Sequence, residues 1–178
     1  IFLQDNSLIP GFRIDAFDCP DSVYLVLQDQ SVDPVSPVIS WDWTVELSDG
    51  QNIALSGPNH VLGIPKGVSG TVSLEVESQN GCLSSMAKTF SSEVMPPGEG
   101  VIDTIYACLG DKIGLNEGTD PDNGFQYRWS GLPEGADSTA LNPVIIATEN
   151  ATYTVRISPG NEACEVVKSV TVILYDPT

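Results

Sequence analysis

From Ile39 to Ser48 the chain alternates apolar and polar residues without a break. Ile39, Trp41, Trp43, Val45 and Leu47 fall on one side, and Ser40, Asp42, Thr44, Glu46 and Ser48 on the other. A period of two over ten residues specifies a strand with one buried and one wet face. Asp49-Gly50 then supplies a turn. The stretch also raises a functional question, because two of the chain's three tryptophans lie on that face. They are either a stacking shelf for a sugar ring or part of a core. A shelf places its aromatics among polar hydrogen-bonding groups. Here they share their face with three aliphatic residues, which favours the core.

The pattern recurs. Half one reads CPDSVYLVLQDQSVDPVSPVISWDW from Cys19, and half two reads CLGDKIGLNEGTDPDNGFQYRWS from Cys108. Each has a cysteine, a short apolar strand, an acidic turn ending in Asp-Pro, and a strand bearing tryptophan. Asp33-Pro34 matches Asp120-Pro121, and Trp43 matches Trp129. Phe125, Tyr127 and Trp129 share one face in the second copy. Trp41, Trp43, Tyr127 and Trp129 are therefore assigned to cores. GTVSLEVESQNGC, ending at Cys82, matches ATYTVRISPGNEAC, ending at Cys164. Between the halves, MPPGEG (Met95 to Gly100) has linker composition. The expected organisation is a domain over 1–95, a linker over 96–100 and a second domain over 101–178. Short apolar runs punctuated by 16 Gly and 13 Pro indicate an all-β class.

Four cysteines allow three pairings. One near each end of each repeat favours Cys19–Cys82 and Cys108–Cys164, one disulfide per domain, in an oxidising compartment. No C-x-x-C pair exists and His60 is the only histidine, so zinc-type sites and His-dependent nucleophilic catalysis lack their parts. His60, in GPNHVLG, reads as an exposed or capping turn residue. No glycine-rich phosphate loop is present. The carboxylates are scattered over wet faces and turns, so the chain is not read as an enzyme.

With 24 acidic against 7 basic residues the net charge is -17. That speaks against nucleic acid and against anionic membranes, both of which need Lys and Arg. No apolar run is long enough to span a bilayer. The chain begins at Ile1, and we read it as mature protein or a piece of something larger.

QDQSVDPVSPVISWDW resembles the start of a PKD domain, an immunoglobulin-like β-sandwich, through Asp29, Ser31, Asp33-Pro34, Trp41 and Trp43. VELSDG replaces the family's usual Phe-Gly-Asp-Gly turn. The second half resembles the PKD-like or Ig-like repeats of large secreted proteins of Bacteroidota. Cys108-Leu109-Gly110-Asp111, Tyr127-Arg128-Trp129-Ser130, Asn142-Pro143, Thr152-Tyr153-Thr154-Val155 and Cys164 carry that likeness. The resemblance implies two tandem Ig-like (PKD-like) antiparallel β-sandwiches from an extracellular or cell-surface protein, of the gliding-adhesin or type IX secretion cargo type. Such modules serve as spacers, stalks and accessory domains, with neighbouring domains, other surface proteins or glycans as partners. Two alternatives stay open: a module binding glycan or protein through sandwich-end loops, and a filament subunit using the leading segment IFLQDNSLIPGFRI for strand addition.

Two modifications follow from the same resemblance. Asp21-Ser22-Val23, Asp103-Thr104-Ile105 and Asp137-Ser138-Thr139 fit a bacterial O-glycosylation motif, making Ser22, Thr104 and Ser138 acceptor candidates. Some PKD-type domains bind calcium near their acidic turns. Asp29 and Asp33, and Glu117, Asp120 and Asp122, are the candidate ligands, against the alternative of ordinary solvated turns. No other cofactor is expected.

Overall fold

The computed structural model describes residues 8–91, 103–160 and 164–175. All regular structure among them is strand. The chain divides into two compact units, Ile1–Val94 and Met95–Thr178. The linker expected over 96–100 lies outside the described residues, as do residues 1–7 of the leading segment.

In the first unit β1 (Phe12–Asp18), β2 (Ser22–Asp29) and β5 (Asn59–Pro65) form a three-stranded antiparallel sheet in the order β1-β2-β5. A second sheet has the order β4-β3-β6-β7, from β3 (Val38–Leu47), β4 (Asn52–Ser56), β6 (Gly70–Ser78) and β7 (Leu83–Phe90). The sheets pack face to face. Phe12, Val23, Leu25, Leu27 and Ile64 from one meet Trp43, Val45, Leu47, Val72, Leu74 and Val76 from the other in one buried cluster. Burial alternates along β6 and the second half of β3, as expected of strands with one dry face.

Ile39 departs from that alternation and is 54% exposed. Val38 pairs with Ser78 and Ser40 with Glu77, so Ile39 is the extra residue of a β-bulge. A bulge turns the following residues by locally breaking the ladder, which a strict count of two cannot foresee.

The second unit has a four-stranded sheet, β10-β12-β13-β8, and a two-stranded one, β11-β9. The strands are β8 (Thr104–Ala107), β9 (Lys112–Gly114), β10 (Gln126–Ser130), β11 (Val144–Ile146), β12 (Ala151–Ser158) and β13 (Val166–Leu174). Tyr127, Trp129, Tyr153, Val155, Ile157, Val170 and Val172 of the larger sheet are buried, as are Leu115 and Ile145. One ladder corrects the all-antiparallel expectation: β8 runs parallel to β13, with Thr104 opposite Thr171 and Ala107 opposite Leu174.

The cysteine pairing is also corrected. Cys19 and Cys164 are disulfide-bonded, whereas Cys82 and Cys108 are free thiols, so neither Cys19–Cys82 nor Cys108–Cys164 exists. The reason is strand length. Cys19 sits in the β1–β2 turn, beside Pro65 through the Ser22–Pro65 pair. Only Lys66 to Ser69 separate that end from the start of β6, and Cys82 follows the far end of β6. Nine residues of strand, about 30 Å, lie between them. In the second unit Cys164 precedes β13, while Cys108 follows β8 at the end where Ala107 pairs with Leu174. Again a nine-residue strand intervenes. Proximity to the two ends of a repeat placed each pair at opposite poles of a sandwich.

Candidate functional site

The tryptophans define what the central strands can do. Trp43 is 1% exposed, and its indole Nε1 donates to the Gly57 carbonyl at 2.7 Å. Phe12 meets its ring edge-on at 5.2 Å between centroids. Trp129 is buried and donates to the Ala140 carbonyl at 3.0 Å. Tyr127, also buried, accepts from Asn123 Nδ2 at 2.7 Å. These rings have no free face for a sugar. Trp41 is different. It packs half-buried against the core while its Nε1 donates to Asp29 Oδ2 at 2.7 Å.

That bond bears on the calcium candidates. Asp29 uses Oδ1 for the Ser31 amide, at 2.9 Å, and Oδ2 for Trp41. Asp33 Oδ1 accepts from the Val35 and Ser36 amides. Both carboxylates thereby serve the turn that leads into β3. In the second unit Asp120 Oδ1 accepts from the Asp122 amide, while Glu117, Asp120 and Asp122 are exposed. Among the described residues no three His, Cys, Asp or Glu side chains come together in a metal-binding group.

The glycosylation candidates differ in access. Ser22 and Thr104 are half-buried first residues of strands, paired with Pro65 and Thr171. Ser138 is exposed in a turn. Beside it, Asp137 Oδ1 accepts from both the Thr139 amide and its hydroxyl. The hydroxyl bond, with the amide bond second, holds the Asp137 carboxyl below its ordinary range.

His60 is not a turn residue. It is the second residue of β5, half-buried, with its ring edge-on to Trp43 at 6.3 Å between centroids. It serves the packing of the tryptophan.

Two surfaces escaped the sequence reading. One is a groove along the open side of the first sandwich, between the edge strands β1 and β7. Arg13 and Lys88 line it with Asp15 and Phe90. Arg13 holds Asp15 through two bonds, at 2.6 and 2.8 Å. Lys88 donates to the Phe12 carbonyl and lies 5.0 Å from the centre of the Phe12 ring. Neither cation belongs to a motif, and only the packing of the two sheets brings both to one groove.

The other surface is the pair of poles that carry the free cysteines. Cys82 is half-buried at the rim of the first core, one residue after Gly81, whose φ of +82° makes the β6–β7 turn. Val35, 76% exposed, with Val32, Ile39 and Leu83, surrounds that pole. The Gln79 amide donates to Pro37 and the Asn80 amide to Ser36 Oγ, which ties this loop to the turn. Cys108 is exposed in a tight turn closed by its own amide on Asp111 Oδ2. Leu109, 72% exposed, follows it, and the exposed rings of Tyr106 and Tyr175 lie 5.5 Å apart beside it.

No family model and no curated protein matches the chain. Among solved structures it is similar to the PKD1 domain of Epp from Vibrio anguillarum, at 20% identity over 50% of this chain and 96% of that one, with a TM-score of 0.39. It is similar to a structure of carbohydrate-binding modules of the β-sandwich superfamily, described for promiscuous specificity, at 15% identity and a TM-score of 0.39. That match covers 85% of this chain and 58% of the other. A chimeric titin Z1Z2 carrying a decorin peptide matches at 13% identity over 94% and 97% of the two chains, with a TM-score of 0.30. At these scores the sandwich assignment rests on the ladders and cores described above.

Proposed function

We propose that the chain is a non-catalytic structural segment, a spacer or stalk of a larger secreted or cell-surface bacterial protein of the gliding-adhesin type. The observation that carries this reading is the internal use of its chemistry. Both core indoles donate to backbone carbonyls, and the acidic turn before β3 spends its carboxylates on amides and on Trp41. Half-cystines at Cys19 and Cys164 fit an oxidising compartment. A net charge of -17 favours solubility. The resemblance of both halves to PKD-like repeats points the same way. Exposed Ser138 is the best placed of the three glycan acceptors, and mass spectrometry of the protein from its natural source tests it. Single-molecule pulling tests the mechanical role: a stalk resists with discrete unfolding events at high force. Smooth extension at low force would sink this reading.

A second reading is favoured by one observation. In a chain with only 7 basic residues, Arg13 and Lys88 line the same groove between two sheet edges. That arrangement suits an extended acidic peptide adding to β1 or β7. Binding from a peptide array that Lys88→Ala removes, with the denaturation midpoint unchanged, would establish it.

A further inference from the structure

Each unit carries one cysteine in the turn after its first strand, Cys19 or Cys108, and one before its last strand, Cys82 or Cys164. One cysteine of each kind is oxidised, Cys19 and Cys164, and one of each kind remains a thiol, Cys108 and Cys82. Within its own unit each thiol is about one nine-residue strand, some 30 Å, from the other cysteine, so no intra-unit bond is open to it. Surroundings that oxidise two cysteines will oxidise accessible thiols as well, and thiols that cannot pair within a unit are open to pairing between copies.

The second observation is independent of sulfur. The poles bearing the thiols are also where exposed apolar side chains gather: Val32, Val35 and Leu83 around Cys82, and Tyr106, Leu109 and Tyr175 around Cys108. Exposed apolar side chains grouped at a thiol suit a contact with another protein surface.

We infer that Cys108 of one copy forms a disulfide with Cys82 of a second copy, joining copies head to tail. The two thiols belong to the same two turn types that are oxidised elsewhere in the molecule. Each copy offers a different cysteine to the contact, so the bond can repeat from copy to copy into a chain. The oxidant is a low-molecular-weight disulfide. The Cys108 thiolate, more exposed than Cys82, attacks one of its sulfurs and releases one small thiol. The Cys82 thiolate of the neighbour then attacks the Cys108 sulfur of that mixed disulfide and releases the second. Two protein thiols are oxidised and one small disulfide is reduced to two thiols. This inference goes beyond the spacer reading and does not need it, since a binding module could be joined in the same way.

Incubating the protein with oxidised glutathione and separating it by non-reducing electrophoresis tests the proposal. The expected result is a ladder of multimers that a reductant collapses, with Cys82–Cys108 peptides in the digest. Cys82→Ser and Cys108→Ser each abolish the ladder, and an equimolar mixture of the two variants yields dimers only. Both substitutions lie in turns, and unchanged circular dichroism shows that the fold is kept. A wild-type protein that stays monomeric, with glutathione on both thiols or with Cys82 joined to Cys108 within one chain, would overturn the proposal. So would peptides joining Cys108 to Cys108, or a ladder that persists in either variant. The pulling experiment reads the spacer role separately, from a monomer kept reduced at Cys82 and Cys108.

Discussion

The two units match in sequence from Cys19 and Cys108 onward, yet they place the strand before that cysteine differently. In the first, β1 runs antiparallel to β2 along seven paired residues. In the second, β8 joins the opposite sheet and runs parallel to β13 along four. Cys19, Pro20 and Asp21 link β1 to an eight-residue β2, and the Cys19 amide closes the hairpin on the Ser22 carbonyl. A connection that short joins antiparallel neighbours. After β8 the chain turns through Cys108 to Asp111 into β9, which has three residues and pairs with β11. So short a partner offers little ladder, and β8 gains four pairs at the edge of β13 instead. A first strand in a sandwich can satisfy its backbone at either sheet edge, and the length of its neighbours decides which. The consequence is visible on the surface. Where β8 borders β13 in the second unit, the first unit leaves β7 as an open edge beside the groove lined by Arg13 and Lys88.

The largest effects should be those the two units share. Trp43→Ala should cost the first unit about 3–5 kcal/mol, and Trp129→Ala should cost the second a similar amount. Chemical denaturation followed by circular dichroism measures both. A loss confined to ligand binding, with stability intact, would mean that the indoles face outward. The next effects should separate the units. Asp29→Ala should destabilise the first by about 1.5–3 kcal/mol, because it removes a charge-assisted bond to Trp41 and leaves the indole N–H without it. Glu117→Ala should stay within about 0.5 kcal/mol, as expected of an exposed carboxylate. A thermal melt with calcium or chelator sharpens that contrast: neither unit's midpoint should move, and an upward shift with calcium would revive the acidic turns as a site.

A smaller difference concerns alkali. Burial, with the Glu149 charge second, raises the phenol of Tyr153 above its ordinary range. A group with a raised folded pKa contributes stability that is full below its unfolded value, near 10. That contribution disappears as pH rises through the folded value. Tyr153→Phe should therefore flatten part of the second unit's loss of stability above about pH 10, relative to wild type. An unchanged difference between the two proteins across that range would show that Tyr153 keeps its normal pKa. The least effect is local. Thr139→Ala should move the Asp137 titration upward toward its ordinary range, seen by NMR, with no change in either unit's midpoint.

Much of the architecture was legible in the chain. The alternation around Trp43 and Trp129 names the buried face because side-chain direction in a strand is a local property with period two. Ile39 was misplaced because a bulge depends on the partner strand. The turns at Asp33 and Asp120 were legible as turns but not as sites, since Asp serves amides in both. His60 read as a turn residue because GPNHVLG shows its breakers, and not the Trp43 ring that it meets across the sandwich.

The sequence by itself determined the all-β class, the inward faces around Trp43 and Trp129 and the matched positions of four cysteines, because each depends on neighbours along the chain. Only the tertiary structure decided which sheet receives the first strand, which cations share a groove and which cysteines remain thiols. Those outcomes depend on where strand ends lie in space, and a nine-residue strand carries positions matched in sequence to opposite poles.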